Sequence, residues 1–112
     1  MALQRSHTAT IARNEVWSGE VFTEPYEAGW AHEAIFFVRA LAAASGGAGS
    51  AQVQISPDGI HWVDEGSRFD LPLTEGAVTF GRVAHFGSYL RLRVQLPDGA
   101  ALRVIAALTL KE

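Results

Sequence analysis

Gln52-Val53-Gln54-Ile55-Ser56-Pro57-Asp58-Gly59-Ile60-His61-Trp62-Val63 is the stretch on which the fold turns. Val53 and Ile55 alternate with Gln52 and Gln54, the two-residue period of a strand with one dry face and one wet face. Pro57 presets φ, Asp58 hydrogen-bonds its own backbone, and Gly59 takes a positive φ without steric cost, so a tight turn follows. Directly opposed side chains of an antiparallel ladder share a face. A four-residue loop from Pro57 to Ile60 then pairs Ile55 with Trp62 and Ser56 with His61, which sends Trp62 into the core.

Toward the C-terminus the alternation is cleaner. Leu90, Leu92, Val94 and Leu96 fall on one face, with Tyr89, Arg91, Arg93 and Gln95 on the other. Beyond the turn Pro97-Asp98-Gly99, Leu102, Val104, Ala106, Leu108 and Leu110 oppose Arg103, Thr109 and Lys111. A three-residue loop with Gly99 left-handed pairs Val94 with Leu102 and Arg93 with Arg103; a shorter one would bury Arg103 without a partner. Between these hairpins, Arg68–Leu71 reads as a short strand ended by Pro72, and Ala77–Val83 as a strand with Val78 and Phe80 set against Thr79.

Toward the N-terminus, residues 1–7 read as a flexible arm and Thr8–Ala12 as a strand. Glu15–Thr23 is a hairpin or a bulged strand around Ser18-Gly19, and residues 24–29 form a loop. Residues 31–44 carry two readings: alanine propensity favours a helix, whereas Ile35-Phe36-Phe37-Val38 favours a strand buried on both faces. The strand is the better reading. About eight short strands with turns every 8–12 residues predict an all-β antiparallel sandwich, jelly-roll or immunoglobulin-like, over residues 8–112 as a single domain.

Composition bounds the function. The 112 residues are 48% hydrophobic and 19% charged, as in ordinary globular domains, with a net charge of −3 that offers no footprint for nucleic acid or an anionic membrane. The absence of cysteine excludes disulfides and thiolate metal sites. Met1 to Ile11 lacks the apolar region of a signal peptide, and the run around Ala40–Ala44 is too short to span a bilayer. The compartment is left open.

Ser56-Pro57-Asp58-Gly59-Ile60-His61-Trp62, followed by Gly87-Ser88-Tyr89-Leu90-Arg91-Leu92-Arg93-Val94, resembles small β-sandwich modules of bacteriophage and prophage virion proteins, in which an S-x-D-G-x-x-W turn precedes a Y-x-R-x-R strand. The likeness covers roughly Ala34 to Leu110. The same turn is similar to that of discoidin-like carbohydrate-binding sandwiches, and one residue short of the Asp-box of sialidase propellers. The virion likeness implies a mechanical role, decorating or joining copies of an assembly, and makes the virion the implied location.

His7, His32, His61 and His85 are scattered without metal-ligand spacing, so neither metal nor cofactor is expected. Ser88, His85 and Asp70 or Asp64 lack a nucleophile elbow, Asp64-Glu65 with Asp70 have no evident cleft, and an enzyme is not expected. Asp58 and Asp98 are turn formers before they are calcium ligands. Trp62, Phe37, Phe80 and Phe86 read as core. Trp17, Tyr26 and Trp30, flanking a Pro/Gly loop, read as exposed interface anchors. Arg91, Arg93 and Arg103 are expected on one exposed face, solvated or meeting the acidic N-terminal third of a neighbouring subunit, whose arm lies across it. The reading is a non-enzymatic structural subunit of a homo-oligomeric or virion-like assembly, its partners copies of itself and other virion proteins, with no nucleic acid and no membrane. The alternative is a carbohydrate- or ligand-binding module.

Overall fold

A computed structural model describes residues 5–112. Among them run nine strands: β1 (Ser6–Trp17), β2 (Glu20–Phe22), β3 (Tyr26–Glu27), β4 (Glu33–Ala40), β5 (Ser50–Ser56), β6 (Val63–Asp70), β7 (Val78–Ala84), β8 (Tyr89–Gln95) and β9 (Leu102–Lys111). A first sheet has the order β1-β9-β4-β7 and a second the order β2-β8-β5-β6, with the two-residue β3 clipped onto β8. All pairs are antiparallel. Leaving β3 aside, the strands nest: first with last, second with next to last, β4 with β7, and β5 with β6. This is a long ribbon folded over itself, the jelly-roll form of the sandwich. Among the described strands, β5 and β6 are the one pair adjacent in both sequence and sheet, so the Ser56–Trp62 turn is the tip of the roll.

Alternation explains the core. Leu90, Leu92 and Val94 of β8 and Ala51 and Val53 of β5 face inward from the second sheet. Phe36 and Val38 of β4 and Val104, Ala106, Leu108 and Leu110 of β9 meet them from the first. Burying each large aliphatic or aromatic side chain contributes about 1.5–3 kcal/mol. Residues 33–40 are therefore a strand, but one that alternates: Ile35 and Phe37 point to the outer side and are half-buried there.

Several sequence expectations are corrected. β8 and β9 do not form a hairpin. Both have the inward residues the pattern predicted, but they lie in opposite sheets, joined by a crossover in which Gly99 is left-handed (φ 78°) and the Ala100 amide donates to the Pro97 carbonyl at 3.0 Å. Alternation defines a face, and a face finds a partner across the sandwich as readily as along a ladder. At the tip, Ile55 pairs with Val63 instead of Trp62. Side chains cap the longer loop: Asp58 Oδ1 accepts the Ile60 and His61 amides at 2.9 and 2.8 Å, and Ser56 Oγ accepts the Asp58 and Gly59 amides at 3.2 and 2.8 Å. With those donors satisfied, the ladder has no need to extend to Trp62.

In β7 the facing is inverted. Thr79, Gly81 and Val83 turn inward, and Val78 and Phe80 outward, because the Phe69 ring of β6 occupies the space a side chain at Gly81 would need. Thr79 Oγ1 is buried without a hydrogen-bond partner among the described residues. In β1, register shifts after Thr10 and Ala12, with Asn14 at φ 48°, reverse the phase so that Trp17 enters the core at 1% exposure while Val16 faces out. Of the expected arm, residues 1–4 lie outside the described residues; Ser6 and His7 are already in β1, and Arg5 pairs with Glu112 of its own chain at 3.0 Å. That ion pair and the Arg5 amide hold the Glu112 carboxyl below its usual range.

Candidate functional site

The outer surface of the second sheet is a linked polar ladder. Gln54, only 7% exposed, lies at its centre. Its Oε1 accepts from Arg91 Nε at 2.8 Å, and its Nε2 donates to Asp64 Oδ1 at 2.9 Å. Arg93 donates from Nε and Nη2 to Glu20 Oε2 at 3.0 and 2.9 Å, and its Nη1 stands 4.0 Å from Asp64 Oδ2. Two rings brace Arg91: Phe22, from β2 on one flank of β8, at 4.4 Å, and Trp62, from the β5–β6 loop on the other, at 4.2 Å. Trp62 is thus an outer-face residue, half-buried against a guanidinium and outside the core. The cation–π contacts recover what the indole loses by staying outside. Burial pushes the Arg91 pKa down from its ordinary value.

The tip loop is rigid by its own chemistry. Hydrogen bonds from the His61 amide, the His61 ring (2.6 Å) and the Ile60 amide hold the Asp58 carboxyl far below the usual carboxylate range. Gly59, at φ 79°, rides over the Tyr89 ring. Asp58 acts here as a turn former, the role its sequence context predicts.

The outer surface of the first sheet is different. Ile35 and Phe37 of β4, Val78 and Phe80 of β7 and Ile105 and Ala107 of β9 form a continuous apolar field, with Phe80 48% and Val78 53% exposed. Phe37 and Phe80 are cross-strand partners with ring centroids 6.2 Å apart. A groove of about 280 Å3 runs over Thr10, Phe37, Arg39, Val78 and Ile105. Glu33 on β4, Arg82 on β7, and Arg103 and Lys111 on β9 border the field, while Arg39 of β4 stands within it, between Val78 and Ile105 in the ladder. Phe37 and Phe80, expected in the core, belong to this field; Phe86 does pack, partly buried, against the core.

The residues expected to act together are dispersed. Arg103 lies on the first sheet, where its Nη1 donates to Asn14 Oδ1 at 2.8 Å, so the arginine trio divides between opposite faces. Trp17 is buried at the Leu102 end of β9, and Trp30 lies near the Lys111 end, its ring 4.7 Å from the Arg5 guanidinium. Tyr26 pairs with Leu90 and packs partly buried against the core. The three therefore form no common platform. Of the imagined catalytic groups, Asp64 is engaged by Gln54 and Asp70 stands at the far end of β6. Among the described residues no group of three or more His, Asp or Glu is placed to hold a metal ion, and no helix is long and apolar enough to cross a membrane.

Sequence reasoning missed the apolar field. The signal was present in Phe36-Phe37 and in Val78-x-Phe80 beside Gly81, since two adjacent phenylalanines on a strand cannot both face inward. Compared with known proteins, the chain matches no family model and no curated protein at a significant level.

Proposed function

We propose that the protein is a non-enzymatic structural subunit that assembles with copies of itself through the outer surface of the first sheet. The observation that carries this reading is the apolar field of Phe37, Val78, Phe80 and Ile105 inside a charged border, the anatomy of a protein–protein interface. Polar residues at these positions would have satisfied the fold equally well, so their apolarity needs a partner to explain it. A second copy is the occupant that the field fits, because its rim carries both signs of charge and can complement itself across a two-fold axis.

A virion-like setting is the finer form of the proposal. It is supported by the likeness of the Ser56–Trp62 turn and by the jelly-roll strand order, an architecture used by viral capsid domains as well as lectins. Size-exclusion chromatography with light scattering tests the assembly. The wild type should elute as a defined oligomer and Phe80→Asp as a folded monomer. A strict monomer at high concentration sinks the reading. Capsid, portal or tail genes adjoining the coding sequence would support the virion setting.

A further inference from the structure

The Arg91 side chain is unpaired among the described residues of its own chain. Among the described residues no carboxylate lies within 4 Å of it, and its one side-chain hydrogen bond, from Nε to Gln54, leaves both Nη groups uncommitted. Arg93, one position along the same face, is by contrast paired with Glu20 through Nε and Nη2 and backed by Asp64. A guanidinium that is partly desolvated, locked between two rings and left with a free fork is pre-organised for a planar anion. Its support is itself built: a buried Gln54 fixes Nε and is fixed in turn by Asp64.

The surroundings narrow the anion. Glu20, Glu27 and Asp64 stand on the same outer face, within an overall charge of −3. They repel a multiply charged ligand such as phosphate or nucleic acid, yet carboxylates and amides accept hydrogen bonds from hydroxyl groups well. Phe22 is 44% exposed and offers apolar ring surface at the edge of the fork. The chemistry that satisfies all three features is one carboxylate, several hydroxyls and a ring of C–H bonds. We propose that the outer face of the second sheet binds an acidic saccharide of the uronic-acid type, its carboxylate on the Arg91 fork and its hydroxyls on Asp64 and Glu20.

This site is on the face opposite the assembly surface, so either reading can fail while the other holds. The test is a nuclear magnetic resonance titration with the methyl glycosides of galacturonate, glucuronate and mannuronate, each carrying one carboxylate, against methyl glucoside, inorganic phosphate and a capped single glutamate. At least one uronate should move the Arg91 Nε and Trp62 indole resonances and bind about tenfold or more tightly than all three controls. Arg91→Gln should lose that preference. Arg91→Lys, which keeps the charge and the stem but not the fork, should lose it too, with an unchanged amide spectrum elsewhere confirming the fold. Binding by none of the uronates overturns the proposal. So does equal binding by methyl glucoside, phosphate or the capped glutamate, or undiminished binding by a folded Arg91→Lys.

Discussion

The two outer surfaces of this sandwich are made of strands of similar length in the same roll, yet they are finished in opposite ways. On the second sheet the central outward positions are polar, and most are tied to their neighbours: Glu20 to Arg93, Arg93 toward Asp64, Asp64 to Gln54, Gln54 to Arg91. On the first sheet the corresponding positions are Phe37, Phe80, Val78 and Ile105, bound to one another only by contact. The ladder makes its surface complete within one chain, save for the Arg91 fork. The field leaves its surface unfinished. Outward apolar residues in a strand are therefore not evidence of a misplaced core; here they sit on β7 because Phe69 has already filled the inward space beside Gly81.

The largest effect should come from removing that contrast. Replacing Phe37 and Phe80 together with threonine gives the first sheet an outer surface like that of the second. Self-association should weaken about a hundredfold, equivalent to ~2.7 kcal/mol, with the melting temperature nearly unchanged. Sedimentation velocity and thermal unfolding measure the two halves, and a large loss of stability without loss of association would place both rings in the core after all. The converse change, Gln54→Leu, removes the centre of the ladder and strands Asp64 and Arg91. Urea unfolding should show a loss of about 2 kcal/mol with the oligomeric state intact. A neutral result would mean that the ladder is decoration.

A smaller change isolates the inverted facing of β7. Thr79→Val replaces an inward hydroxyl that has no partner among the described residues by a methyl of the same shape, and should stabilise the protein by about 1 kcal/mol in the same urea assay. Destabilisation would show that the hydroxyl is satisfied. The finest effect concerns the tip loop. The Asp58 pKa is depressed on folding, so its contribution is present above the unfolded value of about 4 and is lost as the pH falls below it. Asp58→Asn should lower the neutral plateau toward the acid value and so flatten the acid limb of the stability curve below about pH 4. An acid limb identical to that of the wild type would exclude Asp58 from it.

What could be read in advance divides along a physical line. The period-2 patterns of residues 90–96 and 102–110 predicted which side chains are buried, and Leu90, Leu92, Val94, Leu102, Val104 and Leu108 are. They carried no information on which strand lies beside which, because a buried face can meet its complement along the ladder or across the core. Turn chemistry was also legible: Gly59 and Gly99 are left-handed and Asp58 binds its own loop. The aromatic assignments failed where bulges reset the phase. Asn14 turned Trp17 inward, and the capped loop kept Trp62 outward, though their flanking residues suggest the reverse. For the candidate site, Arg91 and Arg93 were visible as a pair, but the separation of Arg103 depends on the sheet to which each strand belongs.

The nested pairing has a cost in time. β9 lies between β1 and β4, so a ribosome releases both neighbours long before the strand that joins them. At ordinary synthesis rates of about 5–20 residues per second, the nascent chain waits on the order of 5–15 s with the oily sides of two half-sheets open. During translation the danger is therefore greatest late, and it falls on strands whose sequences are unremarkable by themselves. Slower decoding of the final third of the message would lengthen the interval in which another nascent chain can take the vacant place.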